Sequence, residues 1–144
     1  MNKEAIEKNP LVKLSFDFAL KIITFCETLE SQKKFVIARQ LLKSGTAIGA
    51  NVIEAQDAES KADFIHKFKI AAKECGETQY WLLLCTLGKN YPDCTELIQG
   101  IENLSKLIGK IISTSKKKIS LTLLLTSIIF NTQPICTSPH LLIC

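Results

Sequence analysis

The most constraining feature of this sequence is an apolar period of three and four residues that repeats in four segments. In chain order, its positions are Leu11, Phe18, Ile22, Phe25 and Leu29; Ala38, Leu41, Gly45, Ile48, Val52 and Ala55; Phe64, Phe68, Ala71, Cys75, Thr78, Leu82 and Cys85; and Leu97, Ile101, Leu104, Ile108 and Ile111. This spacing keeps each set on one face of an α-helix. No run of alternating β-branched residues competes within residues 1–115.

Short connections join the four segments. Ser60 followed by Asp63 resembles a capping box, Gly88 and Pro92 end the third segment, and Asp93 opens the fourth. The predicted helices cover about residues 11–30, 35–58, 61–89 and 94–115. Since short loops force consecutive helices to lie side by side, we predict an all-α fold. Its architecture is an antiparallel up-down-up-down left-handed four-helix bundle formed by residues 1–115.

The second segment contains a stretch of small residues, SGTAIGANVIEA, at positions 44–55. A glycine inside a helix costs about 1 kcal/mol relative to alanine, so Gly45 and Gly49 indicate that another helix approaches closely. Asn51 and Glu54 are the polar groups of this surface. We predict that they fix helix register and assembly, with backbone donors or a lysine of a neighbouring helix as partners.

Charge is nearly balanced in the predicted bundle. The net charge is +4, and Lys116, Lys117 and Lys118 account for three of these charges. A strong non-specific attraction to nucleic acid therefore does not follow from total charge and depends on how the charges are arranged. The charged opening MNKEAIEKNP excludes an ordinary secretory signal, and we expect a cytoplasmic protein.

The last part of the chain differs from the bundle. Residues 119–144 contain no Asp, Glu, Lys or Arg, and the apolar run ISLTLLLTSIIF is shorter than the roughly 20 residues that a membrane-spanning helix needs. One interpretation is a membrane tether formed by the three lysines and this run. The other, which we favour, is a non-core extension covering residues 116–144 that is disordered or adheres to a nearby apolar surface, because the run has no amphipathic face.

The sequence argues against an enzyme and against a metal or cofactor site. Asp63 and His66 form the only acid and histidine pair at the spacing of helical di-iron sites, and His140 lies in the tail. No nucleophile motif or phosphate loop is present. The six cysteines contain no CxxC pair, which favours reduced core thiols. We expect no small-molecule substrate.

The predicted third helix carries a basic strip. His66, Lys69, Lys73 and Tyr80 fall on the face opposite its apolar positions, at about 100° per residue. Three nitrogen donors and an aromatic ring could follow a phosphate backbone and stack on an unpaired base. The alternative is a solvated face on which Lys73 pairs with Glu77.

The flank of the same helix carries a second stripe outside the apolar seam. A tryptophan in such a stripe is typical of contact with a partner helix or subunit, although it can also wrap over the edge of the bundle. Helix one, which is apolar over more than half its circumference, favours self-association. The stripe consists of Ile70, Glu74, Glu77, Trp81 and Leu84.

Residues 44–84, SGTAIGANVIEAQDAESKADFIHKFKIAAKECGETQYWLLL, resemble a known family. This family comprises bacterial four-helix bundle proteins related to the 23S rRNA intervening-sequence proteins and to the accessory variability protein of diversity-generating retroelements. Its most characteristic positions correspond here to Asn51, Glu54, Glu74, Glu77, Tyr80 and Trp81. At the positions of Cys75 and Gly76, other family members often have alanine or serine. Because glycine has a lower helix propensity than alanine, Gly76 weakens this helix locally.

The resemblance implies a homopentamer with no established enzymatic activity. It also implies nucleic acid, RNA or DNA, as a partner, together with a reverse transcriptase in the retroelement relatives.

Two functions remain open on the sequence. The first is an oligomeric nucleic-acid-binding accessory factor, in which Arg39, Lys43, His66, Lys69 and Lys73 contact phosphates and Tyr80 stacks on a base. The second is a self-assembling scaffold for another protein, without nucleic-acid contact.

Overall fold

The helix boundaries largely follow the sequence pattern. The computed structural model describes residues 3–131, which form α1 (Lys3–Lys8), α2 (Pro10–Ser31), α3 (Phe35–Glu54), α4 (Lys61–Leu87) and α5 (Thr95–Asn131). A 3-10 turn, Ala55–Asp57, follows α3 where the prediction continued the helix to residue 58. No β-strand occurs within residues 3–131. The all-α prediction is confirmed.

Side-chain caps explain two of the helix starts. The Asn9 side chain accepts hydrogen bonds from the backbone N–H groups of Leu11 and Val12, at 3.0 and 3.3 Å. This cap separates α2 from the short α1, which the sequence analysis did not predict. Ser60 Oγ accepts from the backbone N–H of Asp63 at 3.1 Å and begins α4 as expected.

The last helix is longer than predicted. It continues to Asn131 rather than ending near residue 115, and no proline or glycine after Gly109 interrupts it. Among the α5 side chains up to Lys117, Ile111 and Ile112 are the last that pack against the core. The assignment of residues 116–144 as a non-core extension stays a prediction, and residues 132–144 lie outside the described residues.

The apolar run of this extension was also considered as a membrane tether. Among residues 3–131, no helix combines the length and the apolar character needed to cross a bilayer.

The predicted apolar positions form one core shared by α2, α3, α4 and α5. Leu11, Phe64 and Ile111 are partly buried, and the other positions are buried. The wide apolar face of α2 is not fully covered, because Phe16, Leu20 and Ile23 keep 36%, 50% and 38% of their surface exposed.

Consecutive long helices pack against each other, and α5 closes the bundle by contacting α2. Helices α2 and α3 approach each other closely at Gly45. A Cβ atom at this position would lie 2.9 Å from Cγ2 of the buried Ile22. At Gly49 it would lie 3.5 Å from the Ser15 carbonyl oxygen, an ordinary contact. Helix α2 therefore lies close to both glycines, but only at Gly45 would a methyl group overlap it.

Candidate functional site

The predicted phosphate-binding side chains lie on the surface of α3 and α4. Arg39, Lys43, His66, Lys69 and Lys73 are all exposed. None of them forms an ion pair with another described residue. The pair between Lys73 and Glu77, which belonged to the alternative of a solvated helix face, does not occur in the described part of the chain.

Only part of this set lies together. His66, Lys69 and Lys73 occupy successive turns of the first half of α4, and we call them the α4 strip. Arg39 and Lys43 precede Ser44, which contacts Thr78 in the second half of α4. They therefore lie closer to the other end of α4 than to the α4 strip.

Tyr80 has different surroundings from the lysines. Its side chain is 55% exposed and lines a groove of about 400 Å³ between α4 and α5, together with Gly76, Leu83, Ile98 and Glu102. Its ring packs edge-on against Trp81, with 5.2 Å between the ring centroids. A carboxylate in the same groove makes this a poor place for a phosphate.

The predicted oligomer and registry residues follow the boundary between α3 and α4. Asn51, Ile70, Glu74, Glu77 and Trp81 are half-buried, whereas Glu54 and Leu84 are exposed. Trp81 packs against the core and its Nε1 donates to Glu77 Oε1 at 3.5 Å. The two alternatives for Trp81, partner contact and edge packing, are thus both compatible with its position.

The two polar groups of the small-residue stretch have different partners. Glu54 pairs with Lys67 of α4, with Nζ and Oε2 2.6 Å apart, as expected for a lysine of a neighbouring helix. This carboxylate raises the pKa of Lys67 above its ordinary value, through its hydrogen bond and then its charge. Asn51 Nδ2 instead donates to the Ala47 carbonyl of its own helix, at 2.8 Å. Glu54 therefore connects α3 to α4, and Asn51 does not in this chain.

Comparison with known proteins identifies the family. The 23S rRNA-intervening sequence protein family matches residues 7–112, which include all the helical core. The chain belongs to this family. It is similar to a solved protein of unknown function from the S23 ribosomal protein family of Bacteroides thetaiotaomicron. The two are 40% identical, the match covers 71% of this chain and 97% of that one, and the TM-score is 0.66.

The family assignment confirms the resemblance seen in residues 44–84. Neither the family description nor that of the solved protein names a reaction. No curated protein matches the chain.

A buried contact that the sequence analysis missed joins α3 and α4 in this family member. Thr78 Oγ1 donates to Ser44 Oγ at 3.0 Å, and Ser44 Oγ donates to the Gln40 carbonyl at 3.2 Å. Both hydroxyl residues are 0% exposed. A serine and a threonine at helix-facing positions of two apolar segments were the signal that could have revealed it.

The buried thiols offer little chemistry. Burial raises the pKa of Cys26 and Cys75 to about 12 and that of Cys85 to about 11, so these thiols are protonated at neutral pH. Cys94 is also buried and contacts Thr86. Among the described residues, no group of histidine, cysteine and acidic side chains could hold a metal ion.

Proposed function

We propose that this family member is a non-enzymatic nucleic-acid-binding accessory factor that assembles from several copies of the chain. The α4 strip carries this proposal. Its lysines are exposed and have no ion-pair partner among the described residues, so their charge is available to phosphates. The family description, which refers to 23S rRNA, agrees with a nucleic acid as the partner.

A salt titration of nucleic-acid binding tests the proposal. Phosphate contacts release counterions, so the affinity should fall steeply as salt rises from about 50 to about 200 mM. Fluorescence anisotropy with labelled RNA and DNA measures this dependence. Absence of binding at about 50 mM salt, or an affinity that does not respond to salt, would contradict the proposal.

The proposed architecture is an antiparallel, up-down-up-down, left-handed bundle. Contacts run in opposite order along neighbouring helices, which supports the antiparallel arrangement. Residues 15 and 22 of α2 face residues 49 and 45 of α3, and residues 44 and 54 of α3 face residues 78 and 67 of α4. The near-heptad spacing of the apolar positions supports the left-handed packing. A crystal structure of the full chain would test both features.

The proposed assembly is a homopentamer in the cytoplasm. For family members that occur together with a reverse transcriptase, that enzyme is the proposed partner. The uncovered apolar side chains of α2 and the half-buried Trp81 support self-association. Light scattering at micromolar concentration tests the oligomer size. A monomer would contradict the proposed assembly.

The second candidate function is a scaffold that binds another protein without contacting nucleic acid. The half-buried stripe containing Ile70 and Trp81 favours it, because apolar side chains at such a boundary are suited to a partner helix. Trp81→Glu should dissociate the oligomer and keep most of the helicity measured by circular dichroism. Loss of the fold would instead show that Trp81 belongs to the core.

A further inference from the structure

A second row of lysines lies on α5. Lys106, Lys110 and Lys117 are exposed and occur at steps of four and seven residues, so they fall within about 40° of one another around the helix. No Asp or Glu follows Glu102 in the sequence. The outer face of this part of α5 therefore carries positive charge alone.

This row lies beside the α4 strip. Gln79 of α4 and Glu102 of α5 line the same groove. With the opposite chain directions proposed above, each step back along α4 corresponds to a step forward along α5. Lys73 is then level with residue 108, between Lys106 and Lys110, and Lys69 is level with residue 112, between Lys110 and Lys117. Because packed helices lie about 8–10 Å apart, two rows of cations run side by side.

Neighbouring acids leave these charges free. The ion pairs among described residues involve Lys13, Lys21 and Lys67, and none involves the two rows. Glu77 lies one turn from Lys73, but its Oε1 accepts a hydrogen bond from Trp81 Nε1 at 3.5 Å. Glu74 lies about 100° around α4 from Lys73. The two rows, which we call the α4–α5 basic face, consist of His66, Lys69, Lys73, Lys106, Lys110 and Lys117.

Apart from the imidazole of His66, the α4–α5 basic face carries no aromatic ring that could stack on bases. Residues 103–117 contain no aromatic residue, and the exposed Tyr80 lies two turns beyond Lys73, in the groove with Glu102. Sites for single strands combine a basic groove with aromatic rings that stack on bases, whereas duplexes are held through their phosphate backbones. We infer that the α4–α5 basic face binds the backbones of a nucleic-acid duplex without recognising its sequence. This inference rests on the proposed function and specifies the form of the nucleic acid.

Charge reversal on each row tests the inference. The variants are Lys69→Glu/Lys73→Glu on α4 and Lys106→Glu/Lys110→Glu on α5. The control, Lys33→Glu/Lys89→Glu, changes the same charge in two loops, where both lysines are exposed. The probes are an RNA duplex and a DNA duplex of about 20 base pairs and their separate strands. Circular dichroism verifies that every variant is folded.

The full-length protein should bind both duplexes more tightly than either single strand. Each basic-face variant should reduce the slope of log affinity against log salt by about 2, since two phosphate contacts are lost. Between about 50 and 200 mM salt, the unmodified protein then loses about 16-fold more affinity than the variant does. The control should keep the original slope.

Two results would overturn the inference and leave nucleic-acid binding intact. One is tighter binding of single strands than of duplexes by the unmodified protein. The other is unchanged duplex affinity and salt slope in Lys106→Glu/Lys110→Glu. Absence of binding to all four probes would instead remove the proposed function itself.

Discussion

Two glycines in neighbouring helices of the bundle have opposite surroundings. At Gly45 of α3, an added Cβ would clash with the buried Ile22 of α2, whereas at Gly76 of α4 it would have no heavy atom within 4 Å. Both residues sacrifice about 1 kcal/mol of helix propensity. At Gly45 this loss permits close packing of two helices, and at Gly76 nothing in the described structure compensates for it.

A glycine inside a helix therefore does not by itself indicate close helix packing. Its role depends on the helix that lies opposite, which the local sequence does not specify. The comparison also separates two kinds of helix contact in this molecule. The contact of α2 with α3 depends on the absence of a side chain, whereas α3 and α4 are connected by a buried hydrogen bond and an exposed ion pair.

The largest effect should come from Gly45→Ala. Overpacking against Ile22 costs about 1–3 kcal/mol, and the gain in helix propensity returns about 1 kcal/mol. We expect a net loss of up to about 2 kcal/mol in the free energy of unfolding, measured by urea denaturation. In an Ile22→Ala background the clashing Cγ atoms are gone, so Gly45→Ala should no longer destabilise the protein. An equal loss in both backgrounds would show that the contact is not the cause.

A smaller loss is expected from Thr78→Val, which removes the hydroxyl and keeps the branched shape. The Ser44 hydroxyl keeps its bond to the Gln40 carbonyl, so no buried donor is left without an acceptor. The expected loss is about 0.5–1.5 kcal/mol in the free energy of unfolding. Thr86→Val, at a position nearer the surface, is the matched control. If both variants lose the same stability, the contact with Ser44 contributes nothing specific.

The sequence pattern was sufficient for the core, because burial follows helical period. The four apolar segments include Ile22, Leu41, Leu82 and Leu104, all 0% exposed. The sequence pattern did not reveal which positions lie against a side chain of another helix. Gly45 and Gly49 looked equivalent, yet only one meets a side chain that a methyl group would overlap.

The candidate site shows the same division. The exposure of Lys69 and Lys73 could be predicted from one helix, since it depends on angle alone. The separation of Tyr80 from them depends on Glu102 of α5, which lies in the same groove. The basic row on α5 was also overlooked, because counting charges over the whole bundle concealed a segment that has lysines and no acids.

The third prediction concerns the other glycine of the comparison. Gly76→Ala should stabilise the protein by up to about 1 kcal/mol, because the helix gains propensity and the new methyl group meets nothing. Gly109→Ala in α5 provides a matched control, since its Cβ would also have no neighbour within 4 Å. Thermal unfolding of both variants measures the gain. A loss of stability in Gly76→Ala alone would indicate that another subunit fills the space beside Gly76 in the assembled protein.

The smallest effect should come from Glu54→Gln, which removes the exposed connection between α3 and α4. Exposed ion pairs contribute little and are screened by salt, so the loss of stability should be small at low salt and disappear at high salt. The sign of the pH dependence follows from Lys67, whose pKa is raised in the folded state above its ordinary value of 10.5. The contribution is therefore fully present below pH 10.5 and lost as the pH rises through the folded pKa.

Lys67→Gln is the reciprocal variant, and the double variant closes a thermodynamic cycle measured by thermal unfolding at low and high salt. If Glu54 acts only through this pair, the second substitution has no further effect once the first is present. If Glu54→Gln also changes the oligomer size and Lys67→Gln does not, the carboxylate contacts another subunit. Glu54 then has a role in assembly. In that case the α3–α4 contact, unlike the α2–α3 contact at Gly45, also contributes to the interface between subunits.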